Sequence, residues 1–411
     1  MPPTTDAAPP PAGKLLFLAT HSAAGGVQEV TANIAEGLAG RGFDIRFAAL
    51  YPHARTVPAG SGRFPWLHVV PRRPRTPLGG AGLLRALVRL LRRERPAAVL
   101  TSMPLANVLG PLAATLAGTG TRVVVAHHVP VSAYGAFPRL LDGFTGRLPA
   151  VHAIVSVSHT VQASLATRPP AYRRKCQTIH NTLPPRLEQH ARDLSSRHDR
   201  AAAHRRKLVA VGRLEPQKNF PALIQALAQM PDTQAEILGH GPEAEALQDL
   251  TRRLGVAARL GFAGQKSREE VLAILSEADV FVQPSLFEGH SLSLIEASKL
   301  ALPLVVSDVP AQVEGVTAPD GTRCGLVVGP QDAAGLVAAL RRLLDDPAHY
   351  RHWSARSRLL ASSNAFASQL AAYEALVLAA GEQAAIVPAM AGGRRLAPLR
   401  PDYGVPAGKG D

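Results

Sequence analysis

Two series of short apolar segments, each alternating with amphipathic helical stretches, run along this 411-residue chain and are separated by a polar interval. In the first series Lys14–Ala19, Asp44–Leu50, Ala98–Thr101, Val123–Ala126 and Ile154–Val157 read as strands, and Val27–Gly40 reads as a helix closed by its glycine. The second offers strands at Lys207–Gly212, Ala235–Gly239, Arg259–Phe262, Val280–Gln283, Pro303–Val306 and Gly325–Val328, with helices at Ala222–Gln229 and Glu243–Leu254. Apolar strands that alternate with helices specify parallel sheets covered by helices. The expected fold class is α/β, with two Rossmann-like, doubly wound domains facing a central cleft. Ligands in such sheets sit beyond the carboxyl ends of the strands.

The boundaries follow from composition shifts. Residues 1–13 are Pro-rich, with neither a basic start nor an apolar core, so a disordered leader is expected rather than a signal peptide. The first domain takes 14–186. Residues 187–206, charged and poor in large apolar side chains, are expected to be the linker. The second domain takes 207–362, a final helix 363–383, and a Gly/Pro/Arg-rich disordered tail 384–411. Two cysteines, Cys176 and Cys324, exclude a disulfide scaffold and a four-cysteine zinc site, and a reducing, cytoplasmic compartment is the default. No dense run of metal-ligand residues is visible, and no metal site or cofactor is expected.

A formal charge of +14 invites a nucleic-acid or membrane reading. Against it, only seven of the 45 basic residues are lysines, and arginine dominance beside abundant Ala, Gly and Pro is what a GC-rich coding sequence gives. Aromatic residues are 5%, which disfavours stacking platforms for single strands. One local cluster stands apart. Leu83–Arg95 (LLRALVRLLRRER) carries leucines at helical spacing among Arg85, Arg89, Arg92 and Arg93, the pattern of a basic amphipathic helix. It suits either an anionic bilayer or packing on its own sheet. The uncharged stretch Pro96–Thr121 is interrupted by Pro104, Asn107 and Pro111, so it does not read as a membrane span.

Three constellations lie at strand ends. In Val211-Gly-Arg-Leu-Glu-Pro-Gln-Lys-Asn219 a strand finishes in glycine, and Arg213 and Lys218 flank a loop that opens a helix. Free amides at the helix start and two cations make a diphosphate pocket, although two solvated surface cations would look the same. In Phe287-Glu-Gly-His-Ser-Leu-Ser-Leu-Ile-Glu-Ala297, after Gln283-Pro-Ser285, Glu288 and Glu296 stand eight residues apart. Carboxylates in a crevice accept hydrogen bonds from vicinal hydroxyls, while Gly289 permits close backbone approach and the amides near His290 and Ser291 suit a phosphate. Alone, two glutamates on a helix are as readily a solvated face. In the first domain Ala24-Gly-Gly-Val-Gln-Glu29 opens a helix with two glycines, and Val123-Val-Val-Ala-His-His128 ends a strand in histidines. Neither is specific by itself.

Taken together, the pieces VGRLEPQKNF, ILGHGPE, FAGQ, ADVFVQPSLFEGHSLSLIEA, LPLVVSDVPAQVEGV and GLVVGP resemble the donor domain of retaining GT-B glycosyltransferases of family four. The first half resembles the family more loosely, through GGVQEVTANIAEGLAGRG, the His127 strand end, IVSVSHTVQASL and IHN at Ile179–Asn181. The resemblance spans roughly Lys14 to Ala380. It implies that Arg213 and Lys218 hold the donor diphosphate, and that Glu288, helped by amides of Gly289, His290 and Ser291, binds the transferred sugar. It further implies Glu296 on the ribose, Gly26 on the donor phosphate, Gln28 towards the acceptor, His127 near the anomeric carbon, and Gln265 beside Lys266 against the base. The 363–383 helix would cross back to the first domain.

The implied reaction moves a sugar from a nucleotide donor, UDP-linked before GDP-linked, to a saccharide, lipid-linked or small-molecule acceptor. Fixed cations and helix dipoles can stabilise the departing diphosphate, and no Asp-x-Asp pair is present, in keeping with transfer that needs no metal. Same-face attack, with the leaving phosphate taking the acceptor's proton, is a family inference. An epimerase or phosphorylase on the same fold, or a basic nucleic-acid-binding protein, are the competing readings. His290 and Ser291 replace the Phe-Gly or Leu-Pro common after the Glu-Gly, so the sugar is not transferable from the family, and Pro71–Arg75 has no family counterpart.

Overall fold

The computed structural model describes residues 13–23, 25–53, 64–196, 205–361 and 365–386. The expected leader and tail lie outside these, apart from Gly13 and the last residues of the final helix, and so does the middle of the expected linker.

Each half builds one parallel sheet. The first holds β1 (Lys14–His21), β2 (Asp44–Tyr51), β3 (Trp66–His68), β4 (Ala98–Ser102), β5 (Arg122–His127), β6 (Val151–Ser156) and β7 (Cys176–Thr178), in the order β3-β2-β1-β4-β5-β6-β7. The second holds β8 (Lys207–Val211), β9 (Gln234–Leu238), β10 (Leu260–Gly264), β11 (Val280–Gln283), β12 (Leu304–Ser307) and β13 (Leu326–Val328), in the order β10-β9-β8-β11-β12-β13. The expected α/β architecture is what the chain adopts. The inner strands are apolar on both faces because helices cover both: Leu15 and Phe17 of β1 belong to one core, Leu16 and Leu18 to the other. Strand order reverses between β1 and β4 and again between β8 and β11, so each sheet has a switch point where its loops diverge and leave a crevice.

The edge strands β3 and β7 were not expected from the sequence. Each is three residues long and only partly buried, so neither carries a run long enough to set a period. The segment expected as linker begins with a helix, Pro185–Ser196, whose Leu187 and Ala191 are buried. Lys299 of the second domain donates to its Glu188 at 2.7 Å, and Arg186 pairs with Glu269.

The basic amphipathic stretch forms the helix Pro77–Glu94, capped by the Thr76 hydroxyl. Its Leu83, Leu87, Leu90 and Leu91 are buried in the first domain's own core. The apolar face is therefore already covered, which answers the choice left open by sequence: this stripe packs on its own sheet. Among the described residues no helix is long and apolar enough to cross a membrane.

The helix Phe366–Ile386 returns to the first domain. Arg41 pairs with Glu374, the Thr182 hydroxyl donates to Gln369 at 2.6 Å, and Leu370 packs so tightly on Gly37 that a Cβ there would lie 2.7 Å from Leu370 Cδ1. Tyr373, Val377 and Ala380 complete its buried face.

Candidate active site

The two constellations of the second domain meet at its switch point. After β8 the chain turns through Gly212, passes a short 3₁₀ turn at Pro216–Lys218, and enters the helix Phe220–Ala228 at Asn219. Asn219 adopts a left-handed φ of 51° and its side-chain amide donates to the Pro284 and Pro330 carbonyls, both at 3.1 Å. That clamp ties the loop after β8 to the loops after β11 and β13. Gly212 leaves room for the Lys218 side chain: a Cβ there would lie 2.8 Å from Lys218 Cε.

Lys218 Nζ donates to Glu288 Oε1 at 2.6 Å. Gln283 Nε2 at 3.1 Å and the Ser285 hydroxyl at 2.8 Å donate to the same oxygen, so Oε1 is fixed by three donors and Oε2 takes none of them. Glu288 is only 7% exposed, which makes this a preorganised carboxylate on the wall of the crevice. Ser291 caps the helix Leu292–Lys299, accepting from Leu294 N, and also accepts from Gln283 Nε2 at 3.0 Å. Among the described residues the amides of Gly289, His290 and Ser291 have no protein acceptor. A short row of free N–H groups thus stands beside Glu288.

Arg213 is exposed and pairs with Glu215 at 2.7 Å. It faces the first domain: after burial and His53, its charge contributes to lowering the pKa of His21, at the end of β1. Of the two cations that follow β8, Arg213 is therefore the exposed one and Lys218 the largely buried one. Gln265, after β10, is exposed.

Glu296 lies deeper than expected. It is fully buried, with Arg268 Nη1 donating at 3.2 and 3.3 Å. Burial holds its pKa up, to about 7; Arg268 opposes this and Glu29 of the first domain adds to it. Glu29 belongs to the helix Gly26–Gly40, so the start of that helix points at the second domain. Gly26 there has open space around it, and Gln28 is nearly buried, its amide 3.5 Å from the His21 carbonyl and from Met103 Sδ.

One expectation needs correcting. The His127 ring was expected near the reacting carbon, yet it is fully enclosed in the first domain, with Nδ1 3.0 Å from the Tyr134 hydroxyl and Nε2 2.9 Å from that of Tyr172. Successive side chains of a strand point to opposite faces, so His128 takes the other side. There it joins Thr31, Ser102, Ala126 and Tyr373 around a small cavity, on the side of the Gly26–Gly40 helix. The close backbone approach at Gly289 is to the first domain, since a Cβ there would sit 1.8 Å from the His128 carbonyl oxygen.

Sequence reading passed over Gln283 and Ser285 as site residues, although the Gln-Pro-Ser run at a strand end was in view, and it passed over Arg268 and His21. It also saw no metal-ligand cluster. The fold nevertheless gathers His159, His180 and Glu314, with one ligand atom from each within 4.8 Å of the others.

A two-domain α/β enzyme architecture with this crevice is a GT-B fold, and the comparisons narrow it. The family model for Glycosyl transferases group 1 matches residues 192–360, and that for Glycosyltransferase Family 4 matches residues 24–186. The chain belongs to the family four glycosyltransferases. It is 37% identical over 159 residues to the glycogen synthase of Mycobacterium tuberculosis strain H37Rv, a match covering 37% of this chain and 38% of that one. It is 32% identical over 151 residues to the MMP alpha-(1->4)-mannosyltransferase of Mycolicibacterium hassiacum, covering 36% of each. The matched part thus spans well under half the length of these relatives. In fold it is similar to Anabaena HepE, solved with UDP and glucose, with a TM-score of 0.70 at 18% identity over 89% of this chain and 99% of that one.

Proposed function

We propose that the chain transfers a sugar, with retention and without a metal ion, from a nucleotide sugar to a saccharide, lipid-linked or small-molecule acceptor in glycan or polysaccharide biosynthesis. The observation that carries this reading is the convergence of Lys218, Gln283 and Ser285 on Glu288 Oε1 at the switch point, beside the free amides of Gly289, His290 and Ser291. Glu288 Oε2 is the acceptor for sugar hydroxyls. Lys218 and Arg213 offset the charge that builds on the diphosphate as the sugar–phosphate bond breaks. Gln265 lies against the base and Gly26 lets the first domain reach the phosphate. Glu296 is the ribose acceptor, and Arg268 must yield part of its hold for that to happen. Acceptor recognition falls to the first domain around Gln28 and His128.

A UDP-linked donor is the favoured choice, and HepE, which shares the fold, was solved with UDP. The test is a panel of UDP-, GDP- and ADP-sugars scored in EDTA for thermal stabilisation and slow sugar release. Lys218→Met and Glu288→Gln run beside the parent. One stabilising donor, hydrolysed slowly by the parent and not by the variants, supports the reading. Absence of any response, or variants equal to the parent, removes it.

A further inference from the structure

Away from the donor crevice, three side chains with no place in the transfer reaction meet where the domains touch. Glu314 lies on the second domain's helix Pro310–Gly315. Its Oε1 accepts from the His159 amide at 2.7 Å and from His180 Nε2 at 3.0 Å, and its Oε2 accepts from the Thr160 amide and hydroxyl, both at 2.7 Å. His159 and His180 belong to the first domain, and their rings stand 5.1 Å apart, edge to face. Beyond His180, at 5.1 Å, is the ring of His290, whose Nδ1 is buried without a hydrogen-bond partner.

We propose that His159, His180 and Glu314 form a binding site for a divalent transition-metal ion of the zinc class, and that its occupancy ties the two domains together. The donor set selects the ion: two imidazoles and one carboxylate suit zinc and its neighbours, whereas magnesium and calcium take oxygen ligands. The spacing fits. Metal–ligand bonds of about 2.0–2.2 Å in a tetrahedron place ligand atoms roughly 3.3–3.6 Å apart. His180 Nε2 and Glu314 Oε1 are already at 3.0 Å, and all three ligand atoms lie within 4.8 Å. His159 is exposed, so its ring can turn to close the set.

The surroundings are those of a prepared ligand. Thr160 fixes Glu314 Oε2 by two hydrogen bonds and the His159 amide holds Oε1, which keeps one lone pair for the ion, as outer partners of metal ligands do. Binding requires neutral imidazoles. His180 then carries its proton on Nδ1 and gives its Nε2 lone pair to the ion, replacing the hydrogen bond it now donates to Glu314. The fourth position is left for water or for the unpartnered nitrogen of His290, which neighbours the Glu288 loop.

The test uses the full chain, stripped with EDTA and dialysed, then titrated with Zn²⁺ alone by calorimetry and with Co²⁺ by visible absorption. The expected result is one equivalent bound, with a rise in melting temperature, and at least a tenfold loss of affinity in His159→Ala and in His180→Ala. His352→Ala, an exposed histidine elsewhere, keeps the parent's affinity. Because His159 is exposed, its variant reports on binding even where His180→Ala perturbs folding. No stoichiometric binding by the parent, or parent-like binding by His159→Ala, overturns the proposal. Neither outcome bears on sugar transfer, which is assayed separately and in EDTA.

Discussion

Gly289 and His128 bring the two domains into backbone contact: a Cβ added to the glycine would stand 1.8 Å from the histidine's carbonyl oxygen. No side-chain adjustment relieves that overlap, because the obstacle is main chain. Gly289→Ala is therefore expected to hold the domains apart at the loop that carries Glu288. Besides the core that joins the two domains, each has one of its own, around Leu16 and Leu87 in the first and around Leu208 and Phe220 in the second, so the variant should fold while kcat/KM for donor turnover falls at least tenfold. Rates and small-angle scattering on parent and variant check this; unchanged rates would mean that the contact does not form in the working enzyme.

Gly212 offers a contrasting case. A Cβ there would meet Lys218 Cε at 2.8 Å, and the far end of a lysine moves cheaply. Gly212→Ala should leave the melting temperature nearly unchanged yet pull Nζ off Glu288, lowering donor turnover. Lys218→Met removes the charge itself, and a loss of about 100-fold is expected by analogy with deleting one preorganised donor to developing charge. Paired melting curves and initial rates separate the two variants. Parent-like activity in Gly212→Ala would show that the Lys218 position is not critical.

Much of this is legible in the sequence. The strands β1, β8 and β11 are continuous apolar runs that end in glycine or polar residues, and sites fall at such ends in doubly wound sheets. Arg213, Lys218 and Glu288 could be picked because they are polar exceptions at those points. What stayed hidden depends on distance along the chain. His127 and His128 differ only in which face of β5 each takes, and one residue of register decides it. His159, His180 and Glu314 are 21 and 134 residues apart, so no local spacing could announce their meeting. Glu296 looked like a ribose ligand with a free carboxylate, and its pairing with Arg268 required knowing that their two helices pack together.

Burial, opposed by the Arg268 pairing, gives Glu296 a pH signature. Burial raises its pKa to about 7 in the folded protein, above the ordinary carboxylate value of 4.5. Between those values the folded state holds a proton that the unfolded chain has lost, so stability from this group is full below 4.5 and declines as pH rises through 7. Glu296→Gln removes the dependence while stranding Arg268 at every pH. The variant's melting temperature relative to the parent should therefore rise from pH 5 to pH 8. A constant difference across that range would show that Arg268 keeps Glu296 ionised throughout.

The two adjacent histidines of β5 and its end are expected to fail in opposite ways. His127 is bonded through both nitrogens to Tyr134 and Tyr172, and Tyr172 in turn donates to Asp142 at 3.1 Å, which Arg168 holds at 2.7 Å. His127→Ala strands a buried hydroxyl, at about 1–3 kcal/mol, and opens a cavity besides. Its melting temperature should drop while the rate per folded molecule holds. His128 bonds to neither tyrosine and stands on the side of the sheet that meets the second domain, so His128→Ala should cost turnover and little stability. Thermal melts and rates measured well below each midpoint decide between them. If His127→Ala is the catalytically impaired variant at full folded population, the ring assigned to the interior acts on the donor after all, and the assignment of His128 to the cleft falls.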